Sequence, residues 1–235
     1  MMNNSSKKNL LLIGSTGDIA TTIGSDLQAD FNIIGISRNR IPNFLCKNYN
    51  LDLRNYQDLP ELIRIIVAEN GPITYLVNAA GVLHSTPIIL QSEKMILEQL
   101  EVNVIAPIFI IKSILPNMVK QKHGRIINLS SMSTKIQVAG DSIYSSTKLA
   151  LDNFVKFVNI EHSKFGVRAN NLAISAVDNS FLRKATKNKS VEEIIQIIPH
   201  RNFTDSNTLK KSIRFLLSDD SLDIGGQSIF FGGVC

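Results

Sequence analysis

Short apolar runs alternating with amphipathic segments constrain this chain more than any other feature. Residues 10–13, 33–36, 75–78, 125–129, 167–173 and 228–231 are compact hydrophobic runs, and residues 51–53 end a weaker one. Between them, residues 18–27, 58–69 and 142–165 carry helical periodicity. In the second of these, Leu59, Leu62, Ile63, Ile66 and Val67 fall on one face. Residues 92–100 and 105–122 read as a helix broken near Pro107, and Gly166 reads as the stop of the long 142–165 helix. Strands that are apolar throughout are covered on both sides. The alternation therefore predicts a doubly wound α/β fold: seven parallel strands, helices on both faces and right-handed crossovers.

No repeat or linker interrupts the pattern. Residues 1–8 read as a polar, disordered tail and residues 9–235 as a single domain. Residues 178–206 are the exception, being polar and basic at Arg183-Lys184 and Lys187-Asn188-Lys189 with one short helix near 191–198. A segment of that kind over a parallel sheet reads as a substrate lid. Lys plus Arg number 25 and Asp plus Glu 20, so the net charge is +5. That balance, without a long basic run, favours a small anionic ligand over nucleic acid. Cys46 and Cys235 cannot make a disulfide framework and lie in no metal-binding spacing, which fits a reducing cytoplasm and no metal. The longest apolar run, 102–111, ends at Lys112, too short to span a membrane. A soluble cytoplasmic protein is expected.

Two patterns carry chemistry. After the first run comes Gly14-Ser15-Thr16-Gly17-Asp18-Ile19-Ala20, opening a helix. Glycines there let the backbone turn tightly and approach a pyrophosphate, which the free N–H groups of a helix N-terminus attract. An ordinary strand-to-helix turn has the same look. The second run ends in Ser37-Arg38, with Arg40 close by and no carboxylate to hold a free ribose. A guanidinium at that position suits a 2′-phosphate, the alternative being a solvated turn residue.

In the second pattern, Tyr144-Ser145-Ser146-Thr147-Lys148, the Tyr and Lys are four apart and share a helix face. An ammonium beside a phenol stabilises phenolate and pulls the phenol pKa below its usual ~10. Such a group can pass a proton to a carbonyl near neutral pH. Ser130-Ser131 follow the 125–129 strand, at the sheet end where ligands bind. Alone, Tyr-x-x-x-Lys also fits a plain surface helix.

Together these pieces resemble the short-chain dehydrogenase/reductase family over nearly the whole chain, and in particular its 3-oxoacyl-carrier-protein-reductase-like members. The matching residues are the glycine loop, Asp52, Asn78-Ala79-Ala80-Gly81, Asn103, Ser131, Tyr144 with Lys148, and the closing segment 225–233. The Ser131-to-Tyr144 interval of 13 is common in that family. The resemblance implies a Rossmann fold and reduction of a small-molecule ketone to an alcohol with NADP(H), NAD(H) being the lesser alternative. It implies a catalytic set of Asn103, Ser131, Tyr144 and Lys148: Tyr144 as general acid, Lys148 lowering its pKa and bonding the nicotinamide ribose, Ser131 holding the substrate oxygen, Asn103 anchoring a water that relays protons to Lys148. Cofactor contacts are implied for Gly14, Ser15, Thr16, Gly17, Asp18, Ile19, Ser37, Arg38, Asp52, Leu53, Asn78, Ala79, Ala80, Gly81, Tyr144, Lys148 and Val177. A homodimer or homotetramer packed through the 104–122 and 142–165 helices is also implied, with neither nucleic acid nor membrane as partner.

Three departures from the family pattern stand out. The loop is G-x-x-G-x-x-A, a form closer to nucleotide-sugar-modifying relatives. Ala79 replaces an Asn, and Ile174-Ser175 with Asn179 replace Pro-Gly and a Thr. They leave a nucleotide-sugar epimerase or ketoreductase, or a non-catalytic NADP-binding regulator, as the competing functions. Among other residues, His84 reads as a loop histidine within reach of the substrate pocket, His123 and His162 as surface, and Asp141 as a rim residue or helix-start acid.

Overall fold

The computed structural model describes residues 7–39, 46–185 and 190–234. Arg40, Cys235, residues 187–189 and the first six residues of the expected tail lie outside that range. Seven parallel strands form one sheet: β1 (Asn9–Ile13), β2 (Asn32–Ser37), β3 (Lys47–Asn50), β4 (Ile73–Asn78), β5 (Gly124–Ser131), β6 (Val167–Ile174) and β7 (Ser228–Phe230). Their order is β3-β2-β1-β4-β5-β6-β7. The chain reverses its direction of travel across the sheet between β1 and β4, which opens a crevice at the strand C-termini. The expected weak third strand lies a few residues earlier than its apolar end: Leu51–Leu53 follow β3, and Leu53 goes into the core.

Side-chain parity explains the two cores. Leu11, Ile13, Ile34, Ile36, Leu76 and Ile126 face one way, onto helices α2 (Leu59–Asn70), α4 (Ala106–Gln121) and α5 (Ser142–His162). Leu10, Leu12, Ile33, Val77, Ile127 and Leu129 face the other way, onto α1 (Asp18–Leu27) and α8 (Ser206–Leu217). Alternate residues of an extended strand point to opposite faces, so a run that is apolar at every position supplies both layers.

Residues 93–121 are continuous helix, with no break at Pro107. Helix α3 (Glu93–Leu100) passes through a π-helical turn at Glu101–Ile105 into α4, where Pro107 occupies the first turn. By length and hydropathy this 29-residue stretch could cross a membrane. Instead Ile110, Ile111, Ile114 and Met118 pack in the core. Ser130 and Ser131 are the last residues of β5 and do not follow it. Gly166, at φ +80°, stops the helical run after α5 as expected. Two short helices, α6 (Ser180–Ala185) and α7 (Val191–Ile197), occupy the 178–206 segment where one was expected.

Parity also produces a buried polar row. Asn78, Asn128 and Asn171 are in register on β4, β5 and β6, opposite Ser228 of β7. Asn78 donates to Asn128 at 2.9 Å, Asn128 to Asn171 at 3.0 Å, and Asn171 to Ser228 at 3.3 Å. The amides are at most 2% exposed. A buried amide without partners costs about 1–3 kcal/mol, and here each finds them across the sheet. The row forms although Ala79 replaces the Asn of the family pattern.

Candidate active site

Tyr144 and Lys148 project from the first turns of α5 onto the end of β5. Ser145, between them, donates to the Ser133 carbonyl at 2.5 Å and ties the helix start to the segment after β5. Tyr144 is 8% exposed, and its phenol lies near enough to Ser131 for that hydroxyl to lower its proton affinity. Ser131 Oγ accepts from Ser133 N at 3.2 Å and Ser133 Oγ at 3.0 Å, which fixes its rotamer. Lys148 is 3% exposed; its Nζ donates to the Leu129 carbonyl at 2.9 Å and lies 5.8 Å from the centre of the Tyr144 ring.

Burial dominates the proton affinities. It pushes the Tyr144 phenol well above its ordinary value, against the smaller pull of Ser131. The same desolvation lowers Lys148 to about 8. This differs from the expectation that Lys148 pulls the phenol below its usual range: both groups pay for leaving water first. In this state Tyr144 is a protonated donor, and Lys148 sits where a modest field decides its charge.

Asn103 lies in the π turn, 1% exposed. The extra residue of a π turn redirects the helix face and aims this amide inward. Its Oδ1 accepts from Val82 N at 2.8 Å, and its Nδ2 donates to the Val82 carbonyl at 2.9 Å and Thr147 Oγ1 at 3.0 Å. Lys148 and Asn103 meet at Gly81, where an added Cβ would lie 3.4 Å from Lys148 Nζ and 3.7 Å from Asn103 Oδ1. Asn103 thus comes beside the Lys148 ammonium without bonding it.

The glycine loop crosses the crevice between β1 and β4. Gly14 has φ +72°, and a Cβ there would lie 2.9 Å from Ala80 Cα. Gly17 caps α1 without a side-chain bond, which leaves backbone N–H groups facing out of the turn. Ala20, at the third glycine position, is 1% exposed and its methyl joins the core. Ser15 is fully buried and donates to Asn48 Oδ1 at 2.5 Å. Asp18 opens α1, and its carboxylate accepts from Ser180 N, the first residue of α6, at 2.7 Å. Asn179 caps the same short helix through Leu182 N at 2.8 Å. Val177 and Asn179 line a crevice with Asp18, Ile19 and Thr204.

At the far end, Ser37 is 5% exposed; it donates to the Asn39 carbonyl at 2.8 Å and accepts from Asn48 Nδ2 at 2.9 Å. Its hydroxyl is thereby turned inward, while Arg38 is exposed. Asp52 is chelated by Arg54, at 3.0 Å from Nε and 2.6 Å from the terminal nitrogen, and this pairing holds its carboxyl below the usual range, with Arg38 adding a smaller pull. Leu53 is 6% exposed. Of the histidines, His84 pairs with Glu98 at 2.9 Å. His123 is half-buried: its ring packs edge-on to Tyr75, and Nε2 lies 3.3 Å from the Tyr75 hydroxyl. Asp141 accepts from Ser85 at 2.6 Å and its field reaches Tyr144. Sequence reasoning missed Asp152, Asn48 and Arg54. The first sits four residues past Lys148, a spacing that was there to be read.

The crevice suits a dinucleotide: a glycine backbone too close to Ala80 for a side chain, and a helix N-terminus capped by glycine. The Asp18 carboxylate is the feature that opposes it. The family model for short chain dehydrogenase matches residues 38–190. The 3-oxoacyl-acyl-carrier-protein reductase FabG of Buchnera aphidicola subsp. Baizongia pistaciae is 26% identical, with 97% of this chain and 96% of the relative covered. The 2-dehydro-3-deoxy-D-gluconate 5-dehydrogenase of Formosa agariphila is 24% identical over 79% of this chain and 71% of its own length. Among solved structures, ElxO with NADP bound has a TM-score of 0.88 at 25% identity, covering 97% of this chain and 98% of its own. A variant of actinorhodin polyketide ketoreductase with NADPH shares the fold at TM-score 0.89 and 19% identity, 97% of each chain being covered.

Proposed function

The chain belongs to the short-chain dehydrogenase/reductase family of NAD(P)-dependent oxidoreductases, and from that premise we propose that it reduces a ketone to an alcohol with NADPH, Tyr144 giving the proton. The observation that carries this reading is the convergence of the buried Tyr144 phenol, Ser131 and the Lys148 ammonium at the end of β5, with Lys148 Nζ 5.8 Å from the centre of the Tyr144 ring. A protonated phenol and a serine hydroxyl on one wall can both bond one carbonyl oxygen. As that oxygen gains charge, Tyr144 delivers its proton and Ser131 keeps the oxygen in place. Lys148 stabilises the phenolate left behind, and Asn103 steadies the turn beside it.

Cofactor binding falls to the remaining residues. The backbone of Gly14, Ser15, Thr16, Gly17, Asp18 and Ile19 would receive the diphosphate. Arg38 would receive the 2′-phosphate, Asp52 and Leu53 the adenine. Asn78, Ala79, Ala80, Gly81 and Val177 would line the rest, with Tyr144 and Lys148 at the nicotinamide ribose. The bound nicotinamide supplies the two electrons of the reduction; the protein supplies position and electrostatics. NADPH over NADH is supported by the exposed Arg38 and by ElxO and the polyketide ketoreductase, which carry NADP and NADPH. A 3-oxoacyl thioester is the first substrate class to test, after the FabG relatives, and a keto-sugar the second. A homodimer or homotetramer is supported by exposed Leu149, Phe157 and Ile160 on α5. The described parts of the 178–206 segment, α6 and α7, are the proposed lid, and the cytoplasm is the proposed site of action. The test is NADPH oxidation by the purified protein over a panel of 3-oxoacyl thioesters and keto-sugars. Turnover with at least one ketone is expected; tight NADPH binding with no turnover across the panel would contradict it.

A further inference from the structure

One buried acid has no part in the scheme above. Tyr144, Lys148 and Asp152 stand four residues apart on α5 and are 8%, 3% and 3% exposed. At 3.6 residues per turn, that spacing sets them in one row down one helix face. The end of β5 meets the row with three consecutive residues. Ser131 lies by the phenol, the Leu129 carbonyl accepts from Lys148 Nζ at 2.9 Å, and Ser130 donates to Asp152 Oδ2 at 2.7 Å. Asn128 reaches Asp152 Oδ1 at 3.4 Å, which joins the acid to the polar row across the sheet.

Packing alone does not require a charge here. An amide or an apolar side chain could fill the place, and a buried carboxylate costs stability unless a cation answers it. The Lys148 ammonium is the cation one turn away, equally buried and bonded to a neutral carbonyl. Asp152 is the charged group whose field favours that ammonium. The reciprocal pull acts on Asp152, whose carboxyl burial lifts to about 6 while Ser130, Lys148, Lys156 and Asn128 oppose the lift. Other titratable groups near the pair are Tyr144 and Lys156 on α5, and Asp141, whose field reaches the phenol. From β4, β5, β6 and the π turn come Asn78, Asn128, Ser130, Ser131, Asn171 and Asn103, none of which carries charge.

We propose that Asp152 is a positioning residue that supplies the counter-charge holding the Lys148 ammonium beneath Tyr144. This deepens the reading of Tyr144 as proton donor and rests on it for its catalytic meaning. With Asp152 ionised and Lys148 protonated, the row reads phenol, ammonium, carboxylate. Take the carboxylate away and Lys148 sheds its proton more easily, leaving a developing phenolate without support.

The test needs neither substrate nor cofactor. In the full-length protein with lysine ε-carbons labelled, the Lys148 signal, identified by its absence in Lys148→Met, is titrated by NMR. Asp152→Asn is expected to lower the Lys148 midpoint by about one pH unit or more, as loss of a nearby opposite charge does, and Asp152→Glu to restore it. An unchanged midpoint in Asp152→Asn overturns the proposal. Should that variant not fold, Lys148→Met serves, because coupling between two sites is mutual. The Asp152 carboxyl midpoint must then rise, and a fixed one overturns the proposal. With an active substrate in hand, Asp152→Asn also moves the alkaline limb of the turnover profile to lower pH, an effect that lost packing would not produce. A Lys148 shift in a protein that reduces no ketone would leave the coupling standing and remove the proposed reaction alone.

Discussion

The two ends of the crevice are built on different terms. At the β5–α5 end, Lys148 and Asp152 are bonded to two consecutive strand residues, Tyr144 is buried beside Ser131, and Asn103 is held by both ends of its amide. At the β1–β3 end, polar groups satisfy one another: Ser15 with Asn48, Ser37 with Asn48, Asp52 with Arg54, and the Asp18 carboxylate with the Ser180 backbone N–H. The first end presents chemistry already in place. The second presents bonds that a nucleotide must exchange for its own, and one carboxylate that it must tolerate. On the proposed function, rigid scaffolding goes to the proton transfer, where a small displacement is costly, and adjustable polar contacts go to cofactor binding.

Substitutions at the two ends should differ in kind, and the largest effect belongs to the rigid end. Lys148→Met should cut ketone-dependent NADPH oxidation by about a thousandfold, in line with the worth of acid–base assistance, with a loss in kcat that saturating substrate does not recover. Arg38→Ala at the opposite end should weaken NADPH binding about thirtyfold and NADH little, corresponding to about 2 kcal/mol for a charged hydrogen bond; equal losses by titration calorimetry would remove the 2′-phosphate contact. Asp18→Asn should act in the reverse direction. With the carboxylate gone from the phosphate loop, NADPH should bind about fivefold to tenfold tighter, on the order of 1 kcal/mol, and weaker binding would show that the Asp18–Ser180 bond helps to hold the nucleotide. The smallest effect is one of pH. Lys148 carries a midpoint of about 8, so its ammonium is present below that value and lost above it. Reductive kcat should therefore fall as pH rises through about 8, and a profile flat to pH 10 would show that the lysine charge is not needed.

How much of this was legible follows from how far each signal travels along the chain. The strands and helices rest on local periodicity, and their order and parallel sense came through with shifts of a few residues at β3 and at the ends of β5. The π turn at Asn103 did not, because one added residue in a turn leaves an apolar helical pattern intact; Pro107 was misread as a break for the same reason. The Asn78–Asn128–Asn171–Ser228 row depends on register between strands far apart in sequence, and no single strand announces it. The Asp18–Ser180 bond joins residues 162 positions apart. Tyr144 and Lys148 were legible because their spacing is helical. Asp152 continues that spacing, yet its burial beside Ser130 is a tertiary fact.

The most direct measurement is a paired one on Tyr144→Phe, which removes a single hydroxyl from the rigid end. Using a ketone that the unaltered protein reduces, NADPH affinity and single-turnover NADPH oxidation are measured on both proteins. The account predicts affinity lowered by no more than about tenfold, the ordinary worth of one hydrogen bond, and a rate lower by about a thousandfold, the ordinary worth of a positioned acid. Undiminished single-turnover oxidation in Tyr144→Phe would contradict it.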